Sequence, residues 1–157
     1  MGGEEGGGME KAGVITTIGQ LLPELQAEER PLPVVGESAS VSEIIDTFAA
    51  SRHSRLLYVL NDQGRLVGVI SFGRMVRHVF FHYNGRDYDN RGLVHMAFSE
   101  NARDFMERGA LAAKLDDRIE DVLARMLDHN VKEVPVLDDE GRVLADLTMA
   151  DLLPRFR

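Results

Sequence analysis

Two glycines 77 residues apart, Gly64 and Gly141, stand in matching surroundings, and that repetition limits the folds open to this chain more than any other feature. Around Gly141, Asp117 and Glu120 have capping-box spacing, and Ile119, Val122, Leu123, Met126 and Leu127 form one apolar helical stripe. Val134-Pro135-Val136-Leu137 reads as a buried strand, and Asp138-Asp139-Glu140-Gly141 as a turn in which Gly141 takes positive φ. Val143 to Thr148 returns as the partner strand, and Met149 to Phe156 opens a last helix. The same order runs from Ser40 and Glu43 through the stripe Val41, Ile44, Ile45, Phe48 and Ala49. It continues with the strand Leu56 to Leu60, the turn at Asn61 to Gly64, the strand Leu66 to Ser71 and a helix after Phe72. The strands keep the 77-residue offset, and one extra residue near Arg52 and His53 makes it 78 in the helices. The expected fold class is therefore α/β, built from two helix–strand–turn–strand–helix units.

Between and before the units the sequence is less regular. Residues 1–13 are rich in Gly and Glu and are expected to form a flexible tail. Ile18, Leu21, Leu22 and Leu25 mark a brief helix, and Pro31 and Pro33 stiffen the approach to a short edge strand at Val34-Val35. A polar loop from Asn84 to Gly92 precedes a predicted helix from Leu93 to Glu107. His78 and His82 have the i, i+4 spacing of a helical metal pair, with Asp87 and Asp89 as the nearest further donors. Solvated or interface histidines account for them more simply, so no metal site is expected. Phe80, Phe81 and Met75 are expected to face outward and contribute to a contact surface.

Charge and composition remove several function classes. Eighteen Lys and Arg against 26 Asp and Glu leave −8, a poor balance for a nucleic-acid-binding protein. The chain has no cysteine, which excludes disulfides and thiol catalysis. No apolar run approaches the ~20 residues that span a bilayer, so no membrane role is expected and a cytoplasmic protein is the default. No phosphate-binding Gly loop or nucleophile elbow is present, so the chain is not expected to be an enzyme.

The helix stripe, the stretch Val131-Lys132-Glu133-Val134-Pro135-Val136-Leu137-Asp138-Asp139-Glu140-Gly141-Arg142-Val143 and the Ser/Thr-x-x-Asp ending together resemble the CBS (cystathionine β-synthase) domain. Two in tandem resemble a Bateman module. The resemblance implies repeat 1 at 14–83, an inter-repeat connection at 84–101 and repeat 2 at 102–157, related by a pseudo-twofold axis with ligand clefts between them. It also implies a standalone sensory module that binds an adenosine nucleotide (AMP, ADP or ATP), signals to an unidentified partner protein and pairs as a homodimer. The alternatives are a CBS pair that binds S-adenosylmethionine or a metal ion, or a ligand-free interaction module.

Thr148 and Asp151 match the family ending in repeat 2. A carboxylate there accepts hydrogen bonds from a ribose diol, and the hydroxyl donates to a phosphate, although helix capping explains the same spacing. In repeat 1, Ser71 matches but Arg74 takes the acid position, so that cleft lacks the ribose acceptor. Arg55 and Lys132 hold equivalent places before their strands, where the resemblance implies that phosphates converge; exposed residues leading into a strand are the plainer reading. The resemblance further implies that the Thr148/Asp151 cleft is closed by Pro33, Val34, Val35, Ser54 and Arg55. The degenerate cleft would then use Ser71 and Arg74 with Leu111, Lys132 and Pro135.

Overall fold

The computed structural model describes residues 15–84 and 100–157, without the side chains of 82–84. The expected tail, residues 93–99 of the predicted helix and the loop with Asp87 and Asp89 lie outside the described residues, as does the His82 side chain; over 100–107 that helix is limited to Ala102–Phe105. The elements run α1 (Ile18–Ala27), β1 (Val34–Gly36), α2 (Val41–Ala50), β2 (Leu56–Leu60), β3 (Leu66–Ser71) and α3 (Phe72–Asn84). They continue with α4 (Ala102–Phe105), β4 (Ala113–Lys114), α5 (Ile119–Asp128), β5 (Glu133–Leu137), β6 (Val143–Thr148) and α6 (Met149–Leu152), closed by a 3-10 turn at Leu153–Phe156.

The duplication is visible in the hydrogen bonding. Each repeat holds a three-stranded sheet, β1-β2-β3 and β4-β5-β6, with a parallel edge pair and an antiparallel hairpin. Both hairpins carry the irregularity at the same place, Val59/Leu60 and Val136/Leu137. Gly64 (φ 76°) and Gly141 (φ 80°) occupy the left-handed region that their turns require. The turns also meet across the axis, where Leu66 N donates to Gly141 O at 2.9 Å. The inserted residue lies in the helix-to-strand loop, which spans 51–55 in repeat 1 and 129–132 in repeat 2.

Core membership does not follow chain order. Ile18, Leu21 and Leu25 of α1 pack with Ile119, Val122, Met126, Val134, Val136 and Leu147, all from repeat 2. Ala102 and Phe105 of α4 pack with Ile44, Phe48, Leu57, Val59 and Ile70 of repeat 1. Each leading helix thus fills the core of the other repeat. Backbone bridges secure both exchanges, Thr17 to Arg118 and Ser40 to Asn101. This changes one expected cap. Arg118, not Asp117, sits at the N-cap of α5, because the Ile119 N–H is met by the Thr16 carbonyl at 3.0 Å. Asp117 Oδ2 instead accepts from Lys114 N at 2.9 Å and from Arg125 at 2.8 Å. Ser40 does cap α2, accepting from Glu43 N at 3.1 Å.

Met75 departs from the outward placement expected of it, being 3% exposed in the core of repeat 1. Phe80 and Phe81 are outward, at 56% and 69% exposure. Among the described residues no helix is long and apolar enough to cross a membrane.

Candidate functional site

Where the ends of β3 and β6 approach each other, the two repeats enclose a cleft of about 820 Å³. Ser71, Arg74 and Arg77 line it from the β3–α3 junction, Thr148 from the β6–α6 junction, and Arg55 and Lys132 from the two strand starts. Arg55 and Lys132 are set alike by their repeats: the Arg55 carbonyl accepts from Phe72 N at 2.8 Å, the Lys132 carbonyl from Met149 N at 3.0 Å. The Arg55 guanidinium also lies 5.5 Å from the Phe72 ring centre. Four cationic side chains thus face one space. Coulomb repulsion among them falls when an anion joins them.

The acid position is engaged in both repeats. Asp151 Oδ2 accepts from Thr148 N at 2.9 Å and from Thr148 Oγ1 at 3.0 Å, while Thr148 Oγ1 accepts from Asp151 N at 3.3 Å. This is a reciprocal capping box at the start of α6. Arg30, in the segment between α1 and β1, places Nη2 at 3.3 Å from both Asp151 oxygens. In repeat 1, Arg74 Nη1 meets Glu107 Oε1 at 3.0 Å. Glu107 precedes β4 and is bound to β3 by paired backbone bonds with Val69, at 3.0 and 2.8 Å. Arg30 and Glu107 are 77 residues apart, as are Arg74 and Asp151, so the two pairs occupy matching places with their charges reversed.

The remaining expected residues are placed elsewhere. Pro33 is buried and its carbonyl accepts from Tyr58 N at 2.7 Å. Val34 and Val35 form β1, with Val35 against the core of repeat 1. Leu111 packs on the core of repeat 2, and Pro135 is buried in β5 opposite Asp146. Ser54 is 3% exposed and donates to Asp146 Oδ2 at 2.7 Å. His78 lies 3.1 Å from Glu100 and packs edge-on against Phe105. No group of His and carboxylate side chains suited to a metal ion occurs among the described residues.

Ser54 belongs to a buried polar seam between the sheets. Tyr58, fully buried, donates its hydroxyl hydrogen to Asp146 Oδ1. Glu133, 5% exposed, accepts from Arg55 N at 2.7 Å through Oε1 and leaves Oε2 buried without a partner. His53 Nε2, also buried and unpartnered, lies 4.0 Å from Asp146 Oδ2. Burial, reinforced by the adjoining Asp146 carboxylate, raises the Glu133 pKa to about 8. Burial and the same two carboxylates push Tyr58 well above its ordinary range, so it stays a neutral donor. Burial in the seam thus favours the neutral form of the residue next to Lys132, one hydrogen bond from Arg55.

The CBS domain family matches the sequence twice, over residues 27–80 and 102–156. This chain belongs to the CBS domain family. Among curated proteins no sequence matches it. Among solved structures, a CBS domain-containing protein from Thermotoga maritima is 26% identical, with a TM-score of 0.65 over 85% of this chain and 90% of that one. The CBS domain pair of protein MJ0100, in complex with 5′-methylthioadenosine and S-adenosyl-L-methionine, is 21% identical, with a TM-score of 0.64 over 90% of this chain and 96% of that one. CBSX2 in complex with AMP is 22% identical, with a TM-score of 0.62 over 80% of this chain and 87% of that one.

In this CBS pair, sequence reasoning overlooked Arg30, Arg77, Glu107, Glu133 and Asp146. Asp146 carried a signal: in Val143-Leu144-Ala145-Asp146-Leu147-Thr148 it is a lone acid inside an apolar strand, matched in repeat 1 by Val69. Glu133 had a weaker one, since Leu56 holds its place in the first copy. For Arg30 and Glu107 the 77-residue offset itself is the clue.

Proposed function

We propose that this CBS pair is a regulatory module that binds an adenosine nucleotide (AMP, ADP or ATP) between its repeats and passes the bound state to a partner protein. The observation that carries this reading is the meeting of Arg55, Arg74, Arg77 and Lys132 on one inter-repeat cleft. In a chain of net charge −8, such a local excess of cations suits phosphate. Thr148 and Asp151 supply the hydroxyl and the acceptor for a ribose beside it. Structural relatives hold AMP or S-adenosyl-L-methionine with 5′-methylthioadenosine, ligands that share the adenosine moiety. S-adenosylmethionine brings a sulfonium cation toward the same arginines, so the local charge favours the nucleotides. Calorimetric titration with adenosine, AMP, ADP, ATP and S-adenosylmethionine tests the reading. Affinity is expected to rise with phosphate number, and binding of S-adenosylmethionine alone, or of none, rejects it. A nucleotide at 100 times its dissociation constant adds about 2.7 kcal/mol to stability, which a thermal shift also reports.

A second copy of the chain is the proposed partner of the outer helical face. A groove of about 650 Å³ runs between α2 and α3, lined by Ile45, Phe48, Met75, Val76, Val79 and Phe80. Ile45, Val76 and Phe80 are 42%, 50% and 56% exposed. Repeat 2 presents Leu127, Leu153 and Phe156 similarly, at 63%, 71% and 51%. Joined faces of this kind bury apolar surface as a homodimer does. Light scattering at tens of micromolar, roughly what a standard-sized interface withstands, should show the dimer; a monomer there rejects it.

A further inference from the structure

Asp151, bonded to the cleft residue Thr148, has a charged partner in Arg30 that nucleotide binding does not by itself explain. Asp151 is 11% exposed and its two oxygens are shared between Thr148 and the guanidinium of Arg30. A ribose diol needs those lone pairs. Arg30 is held by one nitrogen at 3.3 Å from each carboxylate oxygen, whereas its Nε meets Glu28 Oε2 at 3.0 Å. Glu28 is 54% exposed and lies two residues away, so Arg30 retains a partner when it leaves Asp151.

We propose that Arg30 is the specificity-determining residue beside this cleft: its guanidinium holds the Asp151 carboxylate against a sugar diol, and a ligand gains Asp151 by breaking that pair while Arg30 stays on Glu28. The proposal rests on the nucleotide reading above and adds what limits affinity and what moves. A neutral nucleoside offers hydroxyls in exchange for an ion pair, a poor trade in a half-buried site. A nucleotide recovers the loss through phosphate contacts with Arg55 and Lys132. The cleft therefore selects phosphorylated ligands through a residue that touches no phosphate. Arg30 also lies between α1, seated in the core of repeat 2, and β1, at the edge of the sheet of repeat 1. Its release loosens the segment joining the two. The reversed pair Arg74–Glu107 fastens the corresponding segment before β4, so each repeat has a charged latch at this point.

Calorimetric titration of the full chain with adenosine and with AMP tests this, using wild type, Arg30→Ala, Arg30→Gln and Glu28→Ala. Both Arg30 variants are expected to bind adenosine about tenfold more tightly, which is 1.4 kcal/mol, and to narrow the preference for AMP. Glu28→Ala, which removes the partner that Arg30 keeps after leaving Asp151, is expected to weaken adenosine binding. Arg30→Gln keeps the stem and a neutral head, and carries the test where Arg30→Ala fails to fold. Adenosine binding that is unchanged or weaker in the folded Arg30 variants overturns the proposal while leaving the nucleotide reading intact. AMP binding to none of the four proteins rejects the nucleotide reading, and the role of Arg30 with it.

Discussion

The two strand-to-helix junctions use one backbone plan with opposite charges. Where repeat 2 sets Asp151 against Arg30, repeat 1 sets Arg74 against Glu107, and the hydroxyl three residues earlier caps the helix start in both, as Thr148 or Ser71. Their surroundings differ as well. Arg30 and Asp151 are 23% and 11% exposed, Arg74 and Glu107 49% and 64%. The lesson is that a substitution at the acid position is intelligible only with its partner. Arg74 looks like a lost ligand contact in isolation, but with Glu107 it is the same fastening with its poles exchanged. The seam shows a matching contrast: Glu133 and Asp146 of repeat 2 are answered in repeat 1 by Leu56 and Val69, so among the described residues the buried acid lies on one side.

The largest expected effect breaks that one-sidedness. Glu133 is raised to about 8 in the folded chain from an ordinary 4.5, so the folded state keeps a proton that the unfolded state releases. Its contribution is fully present below pH 4.5 and is lost between there and about pH 8. The slope is at most about 1.4 kcal/mol per pH unit. Chemical denaturation from pH 4 to 9 should show the decline, and Glu133→Gln should flatten it. A decline of equal size in the Gln variant would place the proton elsewhere.

Next in size is the ligand contact. Asp151→Ala should weaken nucleotide binding by about 1.5–3 kcal/mol, the worth of a charge-assisted bond, whereas Arg74→Ala should leave the ribose contribution untouched. Equal losses of adenosine affinity in calorimetry, where no phosphate contact enters, would mean that the two junctions do not differ in this way.

Arg74→Asp alone restores the acid but puts it beside Glu107, so like charges meet. The double variant Arg74→Asp with Glu107→Arg recreates the polarity of repeat 2. Titration should then move from about one nucleotide per chain toward about two, one for each strand-to-helix junction. If the single variant does as well, Glu107 is not the partner that matters.

The smallest effect is on stability. Glu107→Ala removes an exposed ion pair and should cost under about 1 kcal/mol. Arg30→Gln should cost more, since it leaves a mostly buried Asp151 carboxylate without its cation. Urea unfolding distinguishes the two, and the reverse order would show that burial does not set the strength of these latches.

The paired hairpins, the glycine turns, the helix stripes and the one-residue insertion were legible because each depends on neighbours within a few positions. The leading helices were less so. The apolar spacing of Ile18, Leu21 and Leu25 announces a buried face but does not say which core receives it, and the answer depends on Ile119 and Leu147, over 90 residues away. At the site, the junction of Thr148 and Asp151 could be read from spacing, as could the equivalent places of Arg55 and Lys132, whereas their facing one cleft was implied only by the family resemblance. Arg30 could not, because the Glu28-Glu29-Arg30 stretch resembles any solvated linker until folding brings it to Asp151. Asp117 failed as a cap for a related reason: the carbonyl that replaced it belongs to Thr16, about a hundred residues earlier.

The exchange of leading helices has a consequence for synthesis. Helix α1 leaves the ribosome long before its seat, which is built from residues as distant as Leu147 and Leu152. At about 5–20 residues per second, its apolar face waits on the order of ten seconds for the strands that will cover it. An element made before its partners is therefore among the last to dock, and for that interval the nascent chain carries Ile18, Leu21 and Leu25 uncovered, a natural target for a chaperone.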